Sequence, residues 1–404
     1  MKKKSFSRRD FLKVAGLATL GTASACQLSR GVVDATPTVP PPGPTYGLIA
    51  TLEPTNPAVQ AATAQPTATA QPSATATTPP SATLEPTATT PPTATPIPEK
   101  RKNRVLRIAH MTDFHVQPEG VSPDGMRRAL RHAQAQADPP NIIFNTGDSV
   151  MEAMWADRSR AEQQWDTYNS ILAAENRLPV VHAIGNHDVW GWGLSNTAVM
   201  NDPMYGKEMA VRKLGLPNRY YSFDYSGWHF IVLDSNFLTV PAANPPFMGR
   251  LDDEQFQWFL NDVNAVAMSS NVPICILSHI PIMAGCGYFS SLNNEESGNW
   301  LVPASLMHID ARRFRDYFVQ NPRIRLCLSG HTHQYESLEY LGVRYITGGA
   351  VAGNWWAGNF MDFPPAYVMV NLYDDGSSDS EFVPYDETFS VRKIVRYFLM
   401  GEVH

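Results

Sequence analysis

The sequence predicts an α/β fold: a four-layer α/β/β/α sandwich of two mixed sheets flanked by helices, with a metal site at the carboxyl ends of the strands. Three observations lead there. From about residue 104 short apolar runs alternate with helix signals in a βαβαβ order. The last third of the chain turns mostly to β-runs. Five of the strand-like runs end in small clusters of Asp, His and Asn, the place where open α/β sheets collect their ligand sites.

Each element has a local reason. Val105-Leu106-Arg107-Ile108-Ala109 is a β-run, and Ser122-Pro123 supplies an N-cap and first helical residue for a helix through Gln136. Asn141–Phe144 reads as a buried strand, 157–174 as a polar helix and Pro179–Ile184 as a third strand. Arg219–Tyr225, a Ser226-Gly227 turn and Trp228–Leu233 read as a hairpin. Asp252 caps a helix through about Val266. Further strands are Val272–Leu277, Ile324–Leu328, Val343–Thr347, Tyr367–Leu372 and Ser380–Pro384, the last two joined by Asp374-Asp375-Gly376.

Composition divides the 404 residues unevenly. Residues 34–98 hold 16 of the 33 prolines, 17 threonines and only three charged residues, too little apolar surface for a core. The chain therefore reads as residues 1–26, a signal peptide; 27–98, a Pro/Thr/Ala-rich disordered linker; 99–388, one enzyme-sized domain; and 389–404, a C-terminal tail. Residues 1–33 carry seven Lys/Arg and one Asp, whereas the part after the linker carries 25 Lys/Arg against 34 Asp/Glu. An acidic domain without a basic run argues against general nucleic-acid binding. No apolar run approaches 18 residues, which excludes a chain that crosses the membrane repeatedly.

The N-terminus reads as an address. Ser7-Arg8-Arg9-Asp10-Phe11-Leu12-Lys13 resembles the twin-arginine export motif and precedes a weakly apolar stretch, implying the twin-arginine translocase as a transient partner. Ala23-Ser24-Ala25-Cys26 resembles a lipoprotein box with Ala23 where Leu is usual, so that lipidation of Cys26 would tie the protein to a membrane outside the cytoplasm. A plain cut after Ala25 would leave the same first residue. The linker would then act as a spacer with an r.m.s. span of roughly 45 Å.

The strand-end clusters carry the chemistry. They are Asp113-Phe114-His115, Gly147-Asp148, Gly185-Asn186-His187-Asp188, Ser278-His279 and Gly330-His331-Thr332-His333. Imidazoles, carboxylates and one amide oxygen, with no thiolate, suit Mn, Fe or Zn better than Mg or Ca. One strand-end His alone means little, because most such residues are merely satisfied by neighbours. Five clusters in this order, three of them opened by Gly, are specific.

The blocks D-x-H, GD, GNHD, H and GHxH over about residues 104–350 resemble the calcineurin-like metallophosphoesterase superfamily. The resemblance implies two divalent ions. Asp113, His115 and His333 would hold one, Asp148 would bridge, and Asn186, His279 and His331 would complete the other. His187 would face the phosphate and the leaving group rather than bind metal. The implied activity is hydrolysis of a phosphoester, mono- or diester, by in-line attack of a hydroxide shared by the two ions. A protonated His187 would stabilise phosphoryl oxygens or donate a proton to the leaving alkoxide.

One position departs from the pattern. Where the second block usually has Asp or Asn, this chain has Met151, with Glu152 next. In relatives that carboxylate pairs with the residue matching His187, so here Glu152 or Asp188 would have to replace it; Asp188 alternatively only caps its own turn. Met151 also argues against a purple Fe(III)–tyrosinate centre, which needs Tyr there. Gly348-Gly349-Ala350-Val351-Ala352-Gly353-Asn354-Trp355-Trp356 resembles a Gly-rich segment of exported members. Trp355 and Trp356 either form a flat wall for a nucleoside, sugar or aryl group or pack against a loop, and Trp190 and Trp192 raise the same choice. Cys275 and Cys327 lie in apolar runs and read as buried thiols, while Cys286 in its Gly-rich loop reads as exposed. Two other readings stand beside the general phosphoesterase: an enzyme resembling cyclic-nucleotide phosphodiesterases, and a metal-binding surface protein without catalysis.

Overall fold

Strand alternation divides the apolar residues between two faces. In β1 (Arg104–Met111), Leu106 and Ile108 face one way, Ala109 and Met111 the other. This computed structural model describes residues 102–290 and 298–385. The signal, the linker and the 389–404 tail lie outside the described residues. The other strands are β2 (Ile142–Asn145), β3 (Val180–His182), β4 (Tyr221–Tyr225), β5 (Trp228–Val232), β6 (Asn236–Leu238), β7 (Phe247–Gly249), β8 (Ile274–Leu277), β9 (Ile324–Ser329), β10 (Tyr335–Tyr340), β11 (Val343–Gly348), β12 (Ala366–Tyr373) and β13 (Ser378–Pro384). The helices are α1 (Ser122–Gln134), α2 (Arg158–Glu175), α3 (Thr197–Met200), α4 (Glu208–Leu214), α5 (Asp253–Ser269), α6 (Gly287–Ser290) and α7 (Ala311–Gln320).

Two large mixed sheets result, in the orders β13-β12-β1-β2-β3 and β10-β11-β9-β8-β5-β4; β6 and β7 form a separate ribbon. In the first sheet β1, β2 and β3 run parallel. In the second β5, β8, β9 and β11 do. Parallel strands put their carboxyl ends on one edge, which is why the polar clusters gather there. Between the sheets Leu106, Ile108, Phe144, Phe230, Leu277, Leu328 and Val368 form one buried core. On the outer face of the first sheet α1 and α2 bury Met126, Leu130, Trp165 and Tyr168. On the outer face of the second, α5 and α7 bury Phe256, Phe259, Phe314 and Phe318. These are the four layers the sequence predicts.

The helix ends show where local signals hold. Asp252 caps α5 by accepting from the Gln255 N–H, and Asp157 caps α2 in the same way through Arg160. Ser122 does not cap α1. It is already helical, Val121 holds the cap position, and the Ser122 hydroxyl bonds the backbone of Gln117 instead. The helix stops at Gln134, two residues before the expected end. Among the described residues no helix is long and apolar enough to cross a membrane.

Candidate metal centre

The loops after β1, β2, β3, β8 and β9 meet where the carboxyl ends of the sheets come together. Backbone bonds lock them: Asp113 N–H donates to Gly147 O (3.0 Å), His115 N–H to Asp148 O (3.0 Å) and Gly330 N–H to His279 O (3.0 Å). The approach is close enough to explain two of the motif glycines. A Cβ on Gly185 would lie 2.1 Å from Asp148 N, and one on Gly330 would lie 2.0 Å from Thr112 Oγ1. Asp113, His115, Asp148, His331 and His333 all adopt left-handed backbone, with φ of 55°, 44°, 53°, 72° and 57°. Such residues cost on the order of 1–3 kcal/mol each and cluster at functional sites.

All seven expected ligands converge, and each is buried or largely so. Three groupings of side chains place their ligand atoms within 4.8 Å of one another: Asp113–His115–His333, Asp148–His279–His331, and His115–Asp148–His187 between them. His115 Nε2 lies 3.0 Å from His333 Nε2, and His279 Nε2 lies 3.2 Å from His331 Nδ1 and 3.1 Å from Asn186 Oδ1. Asp148 sits between the two halves: its Oδ2 is 3.2 Å from His279 Nε2 and 3.8 Å from His115 Nε2, while Oδ1 accepts the His187 N–H. Asp113 is fixed by Thr112 Oγ1 (2.8 Å) and by the His331 N–H (3.0 Å), both on Oδ2.

These residues fit divalent cations, as their outward hydrogen bonds show. His279 Nδ1 meets the Thr146 carbonyl (3.0 Å), His333 Nδ1 the Gly353 carbonyl (2.6 Å) and His331 Nε2 the Ser305 carbonyl (2.8 Å). A carbonyl only accepts, so each outer nitrogen carries hydrogen and the inner nitrogen can offer a lone pair. Inner nitrogens that crowd together beside two carboxylates make a donor set for cations. His115 Nδ1 is buried with no partner among the described residues. The carbonyls of Thr146, Ser305 and Gly353 had no signal in the sequence, because every residue carries one.

His187 differs from the seven. Its Nδ1 lies 2.9 Å from Met151 O and 3.1 Å from Glu152 Oε2, and its side chain keeps 21% exposure. Glu152 thus supplies the carboxylate missing at Met151. Burial opposes a charge on His187; Glu152, Asp148 and the Met151 carbonyl outweigh it and hold the imidazole up to about 10. Burial likewise acts to raise the Asp148 carboxyl, but His279 and His187 hold it well below the usual range.

Three open choices are resolved and one expectation, the exposed Cys286, is corrected. Asp188 does not orient His187: its carboxylate accepts from the N–H groups of Ser149 (2.8 Å), Val150 (3.2 Å) and Gly185 (2.9 Å), pinning two ligand loops together. Trp356 is no open wall: its Nε1–H reaches the carbonyls of Phe114 and His115, both at 3.0 Å, and its ring fills the space a Cβ on Gly125 would take. Trp190 and Trp192 are buried in the core. Cys286 is buried against Thr332 rather than exposed. Trp355 alone of these indoles is exposed, at 40%, with its ring 4.3 Å from that of His333. Asp234, at the end of β5, is buried between Lys207 and Arg219.

A four-layer sandwich with a carboxylate- and imidazole-lined centre at its strand ends defines a metallohydrolase-type scaffold. The family model for calcineurin-like phosphoesterases matches residues 106–335, and the chain belongs to that family. The serine/threonine-protein phosphatase CPPED1 of Homo sapiens is 23% identical over 212 residues, 52% of this chain and 59% of that protein. The chain thus matches little more than half the length of that relative. The 3',5'-cyclic adenosine monophosphate phosphodiesterase CpdA of Escherichia coli K12 is 24% identical over 290 residues, 68% of this chain and 88% of that protein. Among solved structures, a dimetal phosphatase from Danio rerio aligns with a TM-score of 0.47 at 14% identity, over 70% of this chain and 100% of the other.

Proposed function

We propose that this protein hydrolyses phosphoester bonds, mono- or diester, with the aid of two divalent cations of the Mn, Fe or Zn type. The observation that carries the reading is the convergence of seven donors, among which the imidazoles of His279, His331 and His333 turn their hydrogens outward to carbonyls. Asp113, His115 and His333 would hold one cation, Asn186, His279 and His331 the other, and Asp148 both. Bound there, the cations supply a water of lowered pKa and positive charge against the phosphoryl oxygens.

The chain's own residues do the rest. The left-handed ligand loops fix the donors before substrate arrives, so no reorganisation is needed at the moment of reaction. Asp188 keeps the loops after β2 and β3 in register. His187, anchored at Nδ1 by Glu152 and Met151, leaves Nε2 for the substrate, where it stabilises phosphoryl oxygens or gives a proton to the leaving alkoxide. The similarity to CpdA supports keeping phosphodiesters in the substrate range. A metal-binding surface protein would not need an imidazole anchored by Glu152 and Met151 beside the donor set. The test is metal content together with turnover of mono-, di- and pyrophosphate esters. We expect about two ions per chain and turnover that the Asp148→Ala variant loses along with at least one ion. Fewer than about 0.3 ions per chain after loading with Mn, Fe or Zn would overturn the assignment.

We also propose that the protein acts outside the cytoplasm, exported through the twin-arginine route and held by a lipid on Cys26. Support comes from the sequence: Arg8 and Arg9 before a weakly apolar stretch, a small-residue site before Cys26, and the linker. Wild-type protein should sediment with membranes and the Cys26→Ser variant should be soluble and fully active. An unmodified Cys26 in the mass spectrum of the mature N-terminus would refute the anchor.

A further inference from the structure

The loop between β11 and β12 is held from several sides. Val351 and Ala352 donate to the carbonyls of Thr112 and Asp113 (2.9 and 3.0 Å), Asn354 and Ala357 close a turn with Gly358 and Asn354, and Phe360 pairs with Phe363. Gly353 takes the outer hydrogen of His333. Trp356, as described, seals the loop onto the backbone of Phe114 and His115. On this braced frame Trp355 sits in left-handed backbone, φ 46°, a conformation that glycine adopts freely and a bulky residue does not.

Burial does not account for an indole at that position. Trp355 leaves 40% of its surface exposed, although large aromatic side chains gain most from being covered. It is directed at the centre nonetheless. Its ring lies 4.3 Å from His333 at a 34° tilt, 5.6 Å from His115 and 5.9 Å from Phe360, which stands edge-on to it. Phe360 in turn contacts His333 at 5.4 Å. Two aromatic rings therefore stand beside one half of the donor set, on a backbone already fixed in place. A rigid, half-exposed aromatic surface next to a phosphate site binds a flat group at low entropic cost.

We propose that Trp355, supported by Phe360, is a stacking subsite for a flat aromatic group on the substrate, a nucleoside base or an aryl leaving group. The inference rests on the phosphoesterase reading and names the substrate class within it. Stacking on one indole is worth about 1–3 kcal/mol per base, or roughly 5- to 150-fold in affinity.

The test compares flat and non-flat esters on the full chain. Trp355→Ala should raise KM for a nitrophenyl ester and a nucleotide ester roughly 5- to 150-fold, with kcat within about threefold, and should barely change KM for glycerol phosphate. Trp355→Phe should restore most of the affinity for the flat esters. Independently of turnover, adenosine monophosphate should quench tryptophan fluorescence of the wild type, and the quench should be lost in Trp355→Phe. An equal change in KM for flat and non-flat esters would overturn the subsite, and so would loss of bound metal in Trp355→Ala, which would make the indole a brace for His333. If the wild type hydrolyses no ester at all, the phosphoesterase reading falls, while the fluorescence titration still decides whether a flat group binds at Trp355.

Discussion

The core between the sheets and the rim at their carboxyl ends are built from opposite choices. In the core Phe144 stands edge-on to Phe230 at 5.2 Å, Phe230 stacks on Phe223 at 5.1 Å, and each strand offers every second side chain to the gap. No residue of that core has a positive φ. At the rim five donor residues do, and buried carboxylates and imidazoles crowd together. The core gains free energy as it forms; the rim holds strain and desolvated charge that the surrounding loops must offset. The two regions meet within single strands: in β2 and the residues that follow, Phe144 is core, Asn145 bonds Ser149 and Tyr168, and Asp148 is rim.

Three experiments would sharpen or break this contrast. The largest effect should come at the rim, on chemistry alone. His187→Ala should lower turnover about 10²- to 10⁴-fold while metal content stays near normal. Esters with good leaving groups should suffer less if the imidazole donates a proton. Loss of metal in this variant would make His187 a ligand, the role that its grouping with His115 and Asp148 also permits.

Next in size is a change confined to the core. Phe230→Ala removes a fully buried ring from between the sheets and should cost about 3–5 kcal/mol of stability in chemical denaturation. The fraction that stays folded should bind metal normally. A variant that unfolds by less than about 1 kcal/mol would mean that the core tolerates a hole this size, against its close packing.

The smallest effect tests whether cations relieve the rim. Metal at a hundred times its dissociation constant should add about 2.7 kcal/mol to stability for each ion bound. The same increment should appear in Phe230→Ala, because core and rim are independent, and should shrink in Asp148→Ala. An increment unchanged in Asp148→Ala would place the cation elsewhere.

Much of the core was legible because alternation is a local property. Val368 and Val370 on one face of β12 and Tyr367 and Met369 on the other can be read off consecutive residues. The donor set was legible because each donor follows a strand and differs in type from its apolar surroundings. Ser122 misled as an N-cap because its hydroxyl found the Gln117 backbone in a loop whose path depends on tertiary packing. Cys286 misled because its Gly-rich loop folds back onto Thr332 and Glu336.

Residue type and strand-end position marked the clusters and the layered α/β frame that carries them, and the resemblance to calcineurin-like phosphoesterases picked out Asp113, His115, Asp148, Asn186, His279, His331 and His333 as the expected ligands. Type and position alone do not set His187 apart from the other strand-end imidazoles; the resemblance does. Tertiary structure alone decided that Glu152 rather than Asp188 reaches His187, that Asp188 instead ties the loops after β2 and β3, and that Trp356 faces inward while Trp355 stays open. Neighbours in sequence, alike in chemistry, were separated by a left-handed turn or by which carbonyl lay within 3 Å. Such choices depend on where distant loops pass, and no local pattern encodes that.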